Sequence, residues 1–472
     1  MSKVKLIRIL FVILLFGDII FSFAQYYNTP LYGDIQGSVI PEKDVQETFE
    51  DPFGFNAIST GKRHKNPNRF FAQYFFTIYF QNVPKWLQNY VSPITSVYFA
   101  SAIAKIIVQI LFILILSVFI NNVSNPLKTD FLLAAIIVTP LFQVYGYWSR
   151  MGIVDQSVAY TFFYAVPLVV LMLFLLPIFN SIFFNKRFRA INYIFLSPFV
   201  VILPFSGPLV PAIILLIAFL LAVNYGISYR NSNLKTLLYS IPIPVYILLI
   251  PVSLWSFYSI LLGLFYDSNY QEAAISLIER FNRLPRGIFS QIFHSLGFPM
   301  LLVIIALNVY LIKKQKFSEA HKMISILKWI GIFALIYVLL LPFGGYRPYR
   351  PDIIRYDTFM PVNVSLMFFF GMTTFFLIQH LQGDLKRIYS AFIIIVLLIY
   401  TFSDYKGIGK NKCERAAFEK MAISKDSVVV IPKDCFIMSW ENNFDYKQSE
   451  KRAEVIQFWG ITDKKILFYN KQ

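Results

Sequence analysis

Apolar runs long enough to cross a membrane recur from residue 6 to about residue 403, separated for the most part by short polar connections. A helix needs roughly 20 apolar residues to span the hydrocarbon layer. On that measure the pattern predicts about eleven transmembrane helices, at 6–24, 96–120, 129–147, 157–178, 190–204, 208–224, 236–262, 297–312, 324–342, 361–380 and 388–403. Pro204, Ser206, Gly207 and Pro208 between the fifth and sixth predict a tight hairpin. One connection stands apart. Residues 25–95 open with the turn formers Asn28, Pro30, Gly33, Gly37 and Pro41 and then carry Glu42, Asp44, Glu47, Glu50 and Asp51. From residue 70 onward Phe70, Phe71, Tyr74, Phe75, Ile78, Tyr79 and Trp86 recur at helical spacing, the pattern of helices lying in a membrane interface. Beyond residue 403 the long apolar runs stop and Lys and Glu increase. Residues 404–472 therefore predict a small α/β domain, with strands at 427–432 and 465–469 and a helix beginning near Glu414.

Composition agrees with that division. With 57% hydrophobic residues, 15% charged and 50 Phe, the chain is far more apolar than a globular domain of its length. The fold class expected is an all-α polytopic membrane protein, its transmembrane part at 1–403 and a C-terminal domain at 404–472. The formal charge of +17 would suggest nucleic acid in a soluble protein. In a polytopic one it sets orientation, because Lys and Arg collect in cytoplasmic loops. With the N-terminus cytoplasmic, Lys3, Lys5, Lys128, Lys186, Arg187, Arg189, Arg230, Lys235, Lys313, Lys314, Lys316, Lys322, Lys328, Lys386 and Arg387 fall on the inside, opposed by Glu319 and Asp384. No nucleic-acid partner is then needed. The outer face receives 25–95, 148–156, 263–296, 343–360 and the tail. Lys3, Lys5 and Arg8 ahead of an apolar run that ends in Ser22-Phe23-Ala24 also resemble a signal peptide, whose cleavage would leave ten spans and the same sidedness. Cys413 and Cys435, the two cysteines, both lie on the outer side, where an oxidising compartment allows a structural disulfide.

Soluble-enzyme signatures are missing: there is no phosphate-binding glycine loop, no His-Glu-x-x-His and no cysteine cluster. Two of the four histidines, His321 and His380, would be cytoplasmic, so any outer metal would be a hard divalent cation such as Mg or Mn held by carboxylates. Asp34, between Gly33 and Gly37, is the first candidate catalytic residue, since glycines let backbone approach a ligand and a carboxylate accepts a proton from an acceptor hydroxyl. As a plain loop aspartate it would bond its own backbone. Asp155 offers a second carboxylate beside Arg150, unless those two merely form a surface pair. Residues 344–357 run against the positive-inside trend: Arg347, Arg350 and Arg355 alternate with tyrosines and prolines, and Tyr356 follows directly. Guanidinium binds phosphate bidentately, so this loop is a candidate substrate-binding surface. Arg280, Arg283 and Arg286, with His294 nearby, form another basic group or one solvated helix face. Asp18 and Lys105, charged within spans, are expected to pair or face a polar cavity.

The uncleaved first helix, the long first outer loop with Asp34, the short second loop with Asp155, Arg355-Tyr356 before a late span and the outer C-terminal domain together resemble, in layout, the GT-C superfamily of integral membrane glycosyltransferases. The resemblance covers nearly the whole chain and rests on short motifs. It implies a GT-C-like fold in the bacterial cytoplasmic membrane, with 25–95 as a periplasmic loop, and a polyprenyl-phosphate-linked sugar as donor to a glycan or lipid acceptor. Carried onto this chain it makes Asp34 the base, Asp155 a helper, and Arg347, Arg350 and Arg355 the phosphate ligands. No adjacent Asp-Glu pair stands at the place the family's pattern expects, which keeps Asp44 and Asp51 as alternative catalytic acids. A lipid-linked oligosaccharide polymerase or ligase would rely instead on Arg280, Arg283 and His294, and a glycolipid flippase on charged or broken spans.

Overall fold

The structure is a computed structural model of the 472-residue chain. It describes residues 3–61, 68–142, 150–184, 186–230, 233–263, 275–346, 348, 351–403 and 407–471. Among these, nine helices are long and apolar enough to cross a membrane: Val4–Tyr27, Pro93–Asn121, Val158–Ile182, Leu209–Ser228, Val245–Leu262, Gly297–Lys314, Ala320–Gly344, Tyr356–His380 and Gly383–Phe402, here spans one to nine. The other two expected segments are apolar helices of shorter length, Thr129–Phe142 and Ala190–Phe205. The first tightens into a 3-10 turn at Thr139–Phe142, where the described residues end, and the second is interrupted near Pro198 and ends in a 3-10 turn carrying Pro204.

The short segments still carry the chain from one end of the bundle to the other. At one end Arg8 donates to the Thr129 hydroxyl at 2.9 Å, Gln379 to Asp130 at 3.1 Å, and Lys186 pairs with Asn122. At the opposite end the Gly207 N–H donates to the Asn68 carbonyl at 3.0 Å, and Gln291 and Asn363 both donate to the Arg150 carbonyl, at 2.7 and 3.3 Å. Arg8, and Lys128 and Lys186 of the basic set, thus lie at or next to contacts of the first end. The second end holds the long first loop, residues 150–157, the helix Leu277–Phe293 and the C-terminal segment.

Burial is uneven across the spans. The hydropathic window of span eight is 67% buried inside the protein and that of span two 61%, against 6% for span one, whose side chains face outward along most of its length. Spans two, three and eight form the centre. Span three begins with a π-helical turn over Thr161–Ala165, a local widening of the helix that recurs at functional sites.

The C-terminal segment contains the helix Lys412–Ile423, the strand β1 (Val428–Ile431), the helix Glu450–Phe458 and the strand β2 (Leu467–Asn470), with β1 and β2 parallel in the register Val428 opposite Leu467. Both strands and the helix fall where the sequence pattern predicts. The segment is docked firmly. Trp459 is fully buried, donates from Nε1 to the Phe80 carbonyl at 3.0 Å and accepts from Gln88 at 2.7 Å. Glu414, also buried, accepts from the Leu31 N–H (2.8 Å), the Met438 N–H (2.9 Å) and the Tyr98 hydroxyl (2.7 Å). One carboxylate thus ties the first loop, span two and the tail together. Charge-assisted bonds of this kind are about twice as strong as neutral ones, and their loss would leave a buried charge unpaired. Cys413 and Cys435 form a disulfide beside it.

Candidate functional site

Three aspartates, two arginines and two tyrosines meet where the central spans emerge at the second end. Asp34 sits in a 3-10 turn, Gly33–Ile35, that follows the extended Tyr32. Gly33 adopts a positive φ of +24°, and a Cβ there would stand 1.9 Å from Nε1 of Trp440, so only glycine admits the indole against the backbone beside Asp34. Trp440 stacks on Tyr32 with ring centroids 4.7 Å apart and planes within 4°, and lies 6.1 Å from the Tyr160 ring. The Tyr160 hydroxyl is hydrogen-bonded to the Asp34 carboxylate, and Arg69 and Arg355 are close enough to act on it electrostatically. Desolvation nevertheless dominates and raises the carboxyl above its ordinary range, against the pull of Arg69, Tyr160 and Arg355. Asp34 itself remains exposed, as a base that meets a substrate must be.

Asp155 occupies the loop before span three. It accepts the Ser157 N–H at 2.6 Å and is hydrogen-bonded to the Tyr356 hydroxyl, with the Lys105 ammonium and the Asp357 carboxylate nearby. Burial pushes its carboxyl up to about 6, and Asp357 adds to the rise, while the Tyr356 and Ser157 bonds and Lys105 oppose it. Lys105 has no exposure. Its ammonium donates to the Thr29 hydroxyl at 2.9 Å and to the Gln156 carbonyl, which fixes the first loop and the second loop against each other.

Arg355 precedes span eight. Its N–H and carbonyl are both bonded to the Thr358 hydroxyl, at 3.1 and 2.9 Å, which closes the first turn of the helix, and its guanidinium pairs with the buried Asp357. That guanidinium also stands 5.9 Å from the Tyr164 ring centroid. Arg69 stands 5.1 Å from the ring of Phe163, held by its neighbour Asn68, which bonds to Gly207 and to the Ser259 carbonyl. Phe163 and Tyr164 both belong to the π-helical turn. With Leu168, Val210, Ile213 and Met360 they line a small apolar void between spans three, four and eight, of about 10 Å³. Two guanidiniums thus stand against the aromatic side chains of this turn, within electrostatic reach of one exposed carboxylate.

Of the residues singled out in the sequence, Asp34, Asp155, Arg355 and Tyr356 come together here. Arg347 and Arg350 lie outside the described residues. Arg150 contributes its carbonyl to Gln291 and Asn363, and among the described residues no ion pair joins it to Asp155. Asp51 is buried and accepts the Ala57 N–H at 3.0 Å, a structural task; the side chain of Asp44 lies outside the described residues. Arg280 donates to the Pro342 carbonyl, Arg283 pairs with Glu279 and the Tyr346 hydroxyl, and Arg286 pairs with Asp352, so this basic group braces the loop before span eight. Gly287 makes that bracing close: a Cβ there would lie 2.2 Å from the Asp352 carbonyl.

Sequence reasoning passed over Arg69, Tyr160 and Trp440. Asp357 and Asp352, readable in sequence as acids that neutralise the loop's arginines, pair with Arg355 and Arg286. Arg69 and Trp440 had no signal in the sequence, being brought in from elements 371 residues apart along the chain. Among the described residues no group of three His, Cys, Asp or Glu side chains is placed to hold a metal. Asp34, Asp155 and Asp357 are each engaged by an arginine or a tyrosine. Compared with protein-family models, with curated proteins and with solved structures, the chain matches none.

Proposed function

We propose that this protein is a GT-C-type membrane glycosyltransferase that moves a sugar from a polyprenyl-phosphate donor to a glycan or lipid acceptor. The observation that carries the reading is the pair of guanidiniums, Arg69 and Arg355, set against the aromatic turn of span three within electrostatic reach of the exposed Asp34. The donor's phosphate suits the two guanidiniums, which bind such oxyanions through paired N–H donors, and its polyprenyl chain would lie along the apolar spans. The anomeric carbon then lies next to Asp34.

In this reading the acceptor hydroxyl oxygen attacks the anomeric carbon as its proton passes to Asp34. The bond from that carbon to the phosphate oxygen breaks, the electron pair leaves with the phosphate, and Arg69 and Arg355 take up the added charge. A single displacement inverts the anomeric centre. Asp155 holds Tyr356 in place and helps as a second carboxylate. The basic end is the cytoplasmic one under the positive-inside rule, which puts the site, the first loop and the tail on the periplasmic face of a bacterial inner membrane.

Purified protein in detergent, offered a panel of radiolabelled polyprenyl-phosphate sugars, provides the test. Transfer or sugar release by the wild type, lost in Asp34→Asn and Arg69→Ala at unchanged thermal stability, supports the reading. Absence of turnover with every donor, with and without added Mg or Mn, would sink it.

A further inference from the structure

Trp440 is half exposed, at 48%, yet it packs against two other aromatic rings. One ring neighbour is Tyr32, two residues before Asp34; the other is Tyr160, whose hydroxyl touches Asp34. Gly33 keeps its Cβ-less backbone under the indole edge. The segment that delivers Trp440 is clamped by the Met438 N–H bond to Glu414 and by the Cys413–Cys435 disulfide, on either side of which the chain has little freedom. Phe436 and Phe444 flank it and are also exposed, at 41% and 49%. A large, rigid, water-facing aromatic costs hydrophobic free energy in the empty protein, and rigid Trp and Tyr faces are the anchors that carry binding energy at recognition sites.

We infer that Trp440, supplied by the C-terminal segment, is the acceptor platform, and that the acceptor is a saccharide docking a pyranose ring on this aromatic group. The apolar C–H face of a pyranose matches an indole, while its hydroxyls need polar partners, and Asp34 and Tyr160 stand at the platform's edge. A hydroxyl of the stacked ring is thereby carried to the base. The arrangement separates the two substrates: the donor's lipid phosphate belongs to the Arg69 and Arg355 side, the acceptor to the Trp440 side. Trp440 is in these terms a positioning residue, and its chemical consequence rests on the glycosyltransferase reading, whereas saccharide binding does not.

The two are separable by experiment. Binding of soluble tetra- to hexasaccharides of glucose, mannose, galactose and N-acetylglucosamine is measured on the full chain in detergent, without donor, by indole fluorescence and by calorimetry. One of these saccharides is expected to bind, about tenfold more weakly to Trp440→Ala and within about threefold of wild type to Trp440→Phe, with the melting temperature unchanged. In transfer assays Trp440→Ala raises the acceptor KM by a similar factor, and by more than it changes the donor KM. A wild-type protein that binds no saccharide of the panel, or a Trp440→Ala variant that binds as well as wild type, overturns the platform. Saccharide binding that depends on Trp440 together with no transfer from any donor upholds the platform and overturns the transferase reading instead.

Discussion

Exposed cations occur at both ends of the bundle, but the buried and half-buried ones gather at one. At the end holding the N-terminus, Lys5, Lys128, Lys186, Arg187, Arg189, Arg230, Lys235, Lys313, Lys314, Lys316, Lys322, Lys328, Lys386 and Arg387 are all exposed. At the other end Arg69, Arg355 and Arg415 are drawn halfway into the protein, Arg415 against the rings of Tyr27 and Tyr98 at 4.5 and 4.0 Å, and Lys105 is fully buried. Exposed cations cost little and are screened by salt, which suits a charge whose task is to set orientation. Half-buried ones keep their field and their geometry, which suits a charge that must meet a ligand. A chain can thus be basic at both ends for unrelated reasons, and burial, rather than charge count, tells them apart.

The sharpest break of that comparison is at Asp34. Asp34→Asn keeps the shape and removes the base, and is expected to lower transfer by about 10²–10⁴-fold while Arg187→Gln, at the opposite end, leaves the rate unchanged. Next in size is Arg355→Lys, which retains a cation for Asp357 and loses the planar fork; a fall of about 10²-fold, mostly in kcat, separates a phosphate ligand from a mere ion-pair partner. If Lys restores full activity, the guanidinium at this end is doing no more than those at the other.

The third prediction uses pH. Asp155 has its carboxyl raised from 3.8 to about 6, so if its ionised form assists transfer, the rate should fall as pH drops through about 6, and Asp155→Asn should remove that limb of the profile. Stability runs the other way. A carboxyl raised by folding holds its proton more tightly in the native state, so its stabilising contribution is complete below the unfolded value near 3.8 and is lost as pH rises through about 6. Melting temperatures of wild type and Asp155→Asn, compared at pH 5 and pH 8, should shift in favour of the variant at the higher pH.

Smaller still is the effect of loosening the tail. Glu414→Gln keeps the side-chain shape and lacks the charge that accepts from Leu31, Met438 and Tyr98, for an expected loss of roughly 1.5–3 kcal/mol, read as a lower melting temperature. Reducing the disulfide frees a loop of 22 residues and is expected to cost about 3 kcal/mol at most, in a manner that depends on residual structure. Both changes should raise the acceptor KM before they touch the donor KM, because the tail reaches the site through Trp440.

Much of the architecture is legible without coordinates. Apolar periodicity locates every helix that crosses, and alternation of basic loops sorts the connections into two ends, because both follow from residue type along a short window. The two strands of the tail are visible for the same reason: Val428–Ile431 and Leu467–Asn470 are short β-branched and aromatic runs between polar stretches. Nine of the eleven expected spans are long apolar helices among the described residues, and the other two are the shorter apolar helices Thr129–Phe142 and Ala190–Phe205.

The site divides along a similar line. Asp34, Asp155, Arg355 and Tyr356 are notable in sequence because each sits in a loop next to a predicted span, where backbone geometry and sidedness follow from local pattern. Their partners are not. Arg69 is an unremarkable residue ahead of an aromatic helix until Phe163 and Gly207 come under it, and Trp440 is one aromatic of many until Gly33 admits it beside Asp34. Local chemistry, carried by each residue and its neighbours in the chain, determined the long apolar helices and half of the candidate site. Which charges are desolvated, and which cation and which ring face Asp34, was decided only by packing, because those contacts join segments hundreds of residues apart and no local window contains both partners.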